Sequence, residues 1–112
     1  MNRDVAYLHH ILDAVRMIEQ FTAGVSEDQF RSNREKQGAV ILQLTLIGEM
    51  AKRVSPEARS TIDLPWKDIA GFRDRAIHDY YTIDLKIVWD TVQNDIKEIK
   101  DKIDPWLASN HE

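Results

Sequence analysis

The chain has no cysteine at all. That removes a disulfide framework, a thiolate nucleophile and any cysteine-based zinc site, and it fits a reducing compartment such as the cytoplasm. Only four glycines and three prolines occur, and no Asn-Gly or Asp-Gly hairpin signal is present. No stretch reaches the roughly 18 uncharged apolar residues of a membrane span, so no membrane association is expected. The start, Met1-Asn2-Arg3-Asp4, lacks the apolar run of a secretory leader. Basic charge is not in excess either. Fifteen Lys and Arg against 19 Asp and Glu give −4, so bulk charge does not draw the chain to nucleic acid and any such role needs a local patch.

What is present is helical patterning. With 112 residues, 43% hydrophobic and 30% charged, the chain suits one soluble domain, residues 1–112, with a frayed tail from about 108 to 112. Apolar residues recur every three or four positions, which predicts an all-α, antiparallel four-helix-type bundle. The first helix is expected from about Arg3 to Thr22, ended by Gly24, with Val5, Leu8, Leu12, Val15 and Ile18 buried. His9 and His10 on it read as solvated residues. Ser26 and Gln29 form a capping-box pattern, and Asn33 is a candidate N-cap for a second long helix, about Arg34 to Val54.

That second long helix is apolar nearly all round between Ala39 and Ala51, interrupted by Gln43, Thr45 and Glu49. Such a helix is either central or covered on its outer side by a second subunit, and a symmetric homodimer is the expectation. Glu49 either finds a cationic partner or points to solvent. A polar connection is expected from Pro56 to Leu64, then a third helix from Pro65 to about Tyr81. Asp84 is placed to cap a fourth helix, Leu85 to about Ile103 or beyond, with Trp89 and Trp106 as core anchors.

The third helix carries the chemistry. Trp66, Ile69, Ala70, Arg73, Ile77 and Tyr80 fall on one helical stripe, which puts Arg73 inside an apolar seam with Glu49 as its candidate partner. Asp74 and His78 are four apart, so Asp74 can orient the imidazole. Arg75 and Lys67 add local positive charge. On an ideal helix Arg73 and His78 stand about 140° apart. They converge if Arg73 reaches round, if the helix end unwinds, or if two copies meet on a two-fold axis. A His of near-neutral pKa and an Arg suit phosphoryl transfer on RNA, with a proton moved at the 2′- or 5′-oxygen and phosphate charge neutralised. No metal or other cofactor is called for. By spacing alone the pair is a weak signal, since most such pairs are surface residues.

The segment Arg73-Asp-Arg-Ala-Ile-His78-Asp-Tyr80 resembles the R-x4-H-x-Y signature of the HepT-like branch of the HEPN superfamily. The likeness continues in Leu46-Ile-Gly-Glu-Met-Ala-Lys-Arg53, in Leu64-Pro-Trp-Lys-Asp-Ile-Ala-Gly71 and in Asp84-Leu-Lys-Ile-Val-Trp-Asp-Thr-Val-Gln-Asn-Asp95, and so spans about Arg3 to Ile103. The resemblance implies a HEPN-like helical homodimer acting as a metal-independent endoribonuclease, the toxin of a type VII-like toxin–antitoxin pair. It implies catalytic roles for Arg73 and His78. It also implies AMPylation of Tyr80 by an MntA-like nucleotidyltransferase antitoxin. Asp74 stands where this branch often has Asn, and Asp79 where it often has Gly. Two other readings stay open: a non-catalytic module that binds a nucleotide or a nucleotidyltransferase, and a structural domain in which Arg73 and Glu49 form a buried pair.

Overall fold

The computed structural model describes residues 3–79 and 82–110, with the backbone alone for 77–79. Two 20-residue helices dominate: α1 (Arg3–Thr22) and α3 (Arg34–Arg53), separated by the one-turn α2 (Glu27–Arg31). The all-α expectation holds, with one small strand pair added. Gly24 leaves α1 at φ 71°, a conformation glycine adopts without steric cost. Ser26 accepts from the Gln29 N–H while the Gln29 side chain accepts from the Ser26 N–H, closing the capping box before α2. Asn33 caps α3 through the Lys36 N–H.

α1 and α3 pack antiparallel, and Asp4 at the start of α1 bonds Ser55 just past the end of α3. Leu8, Ile11, Leu12, Val15 and Ile18 meet Val40, Leu44, Ile47 and Ala51 in the core, all at most 1% exposed. Each of the Leu, Ile and Val side chains contributes about 1.5–3 kcal/mol by leaving water.

After α3 the structure departs from the expected pattern. The stretch read as a polar connection holds a helix, α4 (Pro56–Thr61), with Ser55 as N-cap and Pro56 at its first position. Ser55 Oγ accepts from the Ala58 N–H and donates to Asp4 at 2.6 Å. The expected third helix is divided. It forms α5 (Trp66–Ala70), a one-residue turn at Gly71, α6 (Phe72–Ala76), then β1 (Ile77–Asp79) paired antiparallel with β2 (Thr82–Ile83). Pro65 sits at the N-cap of α5 rather than inside it.

The expected fourth helix is likewise two, α7 (Leu85–Asn94), capped by Asp84, and α8 (Ile96–Asn110), meeting at Asp95. The tail expected to fray from 108 is helical to Asn110, whose amide donates to the Trp106 carbonyl at 2.8 Å. The Trp89 ring lies 5.4 Å from that of Phe30, and Trp106 Nε1 donates to Thr61 Oγ1 at 3.0 Å. Both tryptophans are half-buried rather than fully enclosed.

Gly48 decides how closely the site segment approaches the core. A Cβ there would stand 3.1 Å from the Ala70 carbonyl oxygen and 3.3 Å from that of Ile69, the last carbonyls of α5. Gly38, on the same helix, is exposed with nothing within 4 Å of such an atom. Gly38→Ala should therefore add about 0.5–1 kcal/mol through lower backbone entropy. Gly48→Val should cost about 1–3 kcal/mol through overpacking against backbone. Urea midpoints at constant slope measure both, and a Gly48→Val midpoint at or above that of Gly38→Ala removes the close-approach account.

Candidate active site on the α5–α6 elbow

The frame of α5 and α6 is set by Ile69, Phe72 and Ala76, all at most 3% exposed. Of the expected stripe, Ile69 is buried and Trp66 packs against the core, but beyond Gly71 it is Phe72 and Ala76, not Arg73, that face inward. Phe72 is the residue the pattern reading passed over. Once Phe72 faces the core, Arg73 turns 100° away from it. Arg73 is accordingly 59% exposed by side chain, not embedded in an apolar seam.

The pairing expected between Arg73 and Glu49 does not form. The Arg73 guanidinium lies 3.7 Å from Asp74, itself 81% exposed. Glu49 points outward from α3 and lies 3.6 Å from Lys52. The buried-pair reading of these two residues is thereby overturned. The Arg73–Asp74 pair is solvated, and exposed pairs of this kind contribute about 0–1 kcal/mol. The guanidinium therefore remains available to a stronger anion.

Arg75, two residues further and 200° round the helix, has different neighbours. Its Nη2 donates to the Asp68 carbonyl at 3.2 Å, and its guanidinium carbon is 4.9 Å from the centre of the Phe72 ring. Asp95 lies near enough for Arg75 to lower its carboxyl pKa, but burial is the larger influence and the net effect is a carboxyl raised above its ordinary value. Glu98 and Asp68 push it the same way as burial.

The helical relation expected between Asp74 and His78 is lost, because α6 ends at Ala76 and residue 78 lies on β1. The Asp84 N–H donates to the Ala76 carbonyl at 2.9 Å and so joins the end of α6 to the start of α7. In the strand pair, Ile77 faces Ile83 and Asp79 faces Thr82, so the one-residue register shift falls at His78. Such bulges bend a strand and are over-represented beside active sites. The bias towards extended chain was present in the residues themselves. Ile77, Tyr80, Tyr81, Thr82 and Ile83 are all β-branched or aromatic. Tyr80 lies outside the described residues. Among the described residues no group of three His, Asp or Glu side chains is placed to hold a metal ion. Nor, among them, is any helix long and apolar enough to cross a membrane.

The outer side of α3 is barer than its composition suggests. Leu42 is 56% and Leu46 41% exposed, with Met17 of α1, at 39%, lining the same groove as Leu46. A groove of about 290 Å³ runs between the two helices, lined by His10, Asp13, Met17, Gln43, Leu46 and Met50.

Comparison with known proteins gives a consistent result. The family described as Ribonuclease HepT-like matches residues 11–105. "Probable ribonuclease HepT" of Thermococcus cleftensis is 35% identical over 99 residues, covering 88% of this chain and 90% of that protein. A "Putative RNase" of Caldanaerobacter subterraneus is 33% identical over 98 residues, covering 87% and 88%. A "Gamma-glutamylcyclotransferase and putative RNase" of Methanocaldococcus jannaschii is 38% identical over 105 residues, covering 92% of this chain, which spans only 47% of that longer protein. No solved structure matches. With the family match running from α1 through α8, the chain belongs to the ribonuclease HepT-like family.

Proposed function

We propose that this protein is a metal-independent endoribonuclease, built on a single domain, that cleaves RNA with Arg73 and His78. The observation that carries the reading is the end of α6 at Ala76, with solvent-facing Arg73 on its last turn and residue 78 on the bulged strand beyond. The family membership and the ribonuclease names of its relatives support the substrate class.

The chemistry follows from the two side chains. The imidazole takes the proton from a 2′-hydroxyl as that oxygen attacks the adjacent phosphorus, or delivers one to the departing 5′-oxygen. The guanidinium offers paired N–H donors to the phosphoryl oxygens as charge develops on them. Asp74 holds Arg73 in the absence of substrate and yields it to phosphate. In the intact protein two chains form a homodimer through the apolar face of Met17, Leu42 and Leu46. The chain acts as the toxin of a toxin–antitoxin pair in the cytoplasm. AMPylation of Tyr80 by an MntA-like nucleotidyltransferase puts a bulky phosphodiester beside the anion site, fills it and repels RNA.

The net charge of −4 favours a second reading, a binding module without catalysis. Labelled RNA in EDTA separates the two. Wild type should cut, and His78→Ala should lose about 10²–10⁴-fold in kcat/KM with its helical circular dichroism intact. Undiminished cleavage by that variant would remove His78 from the mechanism. Leu42→Glu with Leu46→Glu should shift the light-scattering mass from dimer to monomer, whereas a monomeric wild type at micromolar concentration rules out the assembly. Tyr80→Phe should stay active but resist transfer of labelled AMP by the cognate nucleotidyltransferase. Labelling at the wild-type rate would mean that the target residue is another one.

A further inference from the structure

α5 and α6 are joined by one residue, Gly71, so the angle between them is set by whatever bridges the joint. On the core side α5 is seated on α3 at Gly48, where a Cβ would stand only 3.1 Å and 3.3 Å from its last two carbonyl oxygens. On the outer side the side chain that bridges the joint is Arg75. Its guanidinium bonds the Asp68 carbonyl on α5 while lying against the ring of Phe72 on α6, and Phe72 is itself fixed in the core at 3% exposure. A lysine cannot reproduce this, having neither the planar face nor the fork of donors.

The surroundings of Arg75 are wrong for phosphate. It borders a groove of about 110 Å³ shared with Asp68, Asp95 and Glu98, three carboxylates that would repel an RNA backbone. Arg73 faces away from that groove, 200° round the helix. Two arginines separated by one residue thus stand in different electrostatic settings, both exposed, one away from the acidic groove and one on its border.

We infer that Arg75 is a positioning residue: it braces the α5–α6 elbow, fixes where Arg73 and the bulge at residue 78 stand, and makes no contact with RNA phosphate. The inference rests on the proposed ribonuclease activity for its catalytic consequence, but the brace itself is measurable without it.

The test compares Arg75→Ala, Arg75→Lys and Arg73→Ala in the full chain. Amide hydrogen exchange is read first. In both Arg75 variants residues 72–76 and the Asp84 N–H should exchange at least about tenfold faster, with α1 and α3 unchanged. Binding to a 2′-O-methyl RNA oligonucleotide, which cannot react, is then measured against salt. Arg73→Ala should lower the slope of log K against log salt by about 0.7, and Arg75→Ala should leave it at the wild-type value. With cleavable RNA, both Arg75 variants should lose about tenfold or more in kcat at unchanged KM.

Unchanged exchange overturns the brace. A reduced salt slope in Arg75→Ala makes it a phosphate ligand instead, and full kcat in a loosened elbow severs the brace from catalysis. Should Arg75→Ala fail to fold, Arg75→Lys retains the charge, and its exchange and kcat decide. Should wild type cut no RNA at all, the ribonuclease reading falls while the exchange result still stands for or against Arg75.

Discussion

The packing of α1 on α3 is the constraint from which the remaining order follows. An isolated helix under about 12 residues is marginal in water, and α2, α4, α5 and α6 have five or six each. None can persist without a preformed apolar surface. The two 20-residue helices supply it through Leu8, Leu12, Val15, Val40, Leu44 and Ile47. Phe30, Ala58 and Ile69, one buried side chain each, then fix α2, α4 and α5 to it, and Phe72 with Ala76 fixes α6. The segment with the reactive residue types is therefore ordered by its neighbours and not by its own helix propensity.

This division also accounts for the charge distribution. An acidic protein with the proposed action on RNA has to confine positive potential to a small area. In the elbow the confinement comes from helix phase. Core-facing Ile69, Phe72 and Ala76 leave Arg73 on the solvent side and Arg75 over the acidic groove. One inserted or deleted residue between Gly71 and Arg73 would rotate both by 100° and put a guanidinium into the core.

Long elements were legible in the sequence. α1 and α3 fall where periodicity puts them, and Ser26, Asn33 and Asp84 cap as their spacing implies. The misreadings share a cause: 3.6-residue periodicity persists across breaks that only local chemistry reveals. Pro56 to Leu64 reads as a polar connection, yet Ser55-Pro56 opens α4, because a Ser just past one helix can cap the next and Pro suits its first position. The stripe through Arg73 is one position out beyond Gly71, because Phe72 faces the core there. Helical periodicity runs on through Ile77 although the following residues favour extended chain. For the site, Arg73 stands exposed on α6, whereas the partnership with Glu49 depended on a phase the structure does not have. The side chain of His78 and all of Tyr80 lie outside what the structure describes, so their roles rest on the motif.

The little helix α4 has one more consequence. The beginning of α1 reaches it through Asp4 and Ser55, and the last turns of α8 reach it through Trp106 and Thr61. Two stretches about a hundred residues apart in the chain thus share one six-residue anchor. Fraying at one end loosens the anchor of the other, so residues 4 and 106 should open together as a single cooperative unit and not as two independent termini. α1 and α8 also pack on each other directly, with Arg16 beside Asp104 and Glu19 beside Lys100, and α4 adds a second closure between the two ends of the chain.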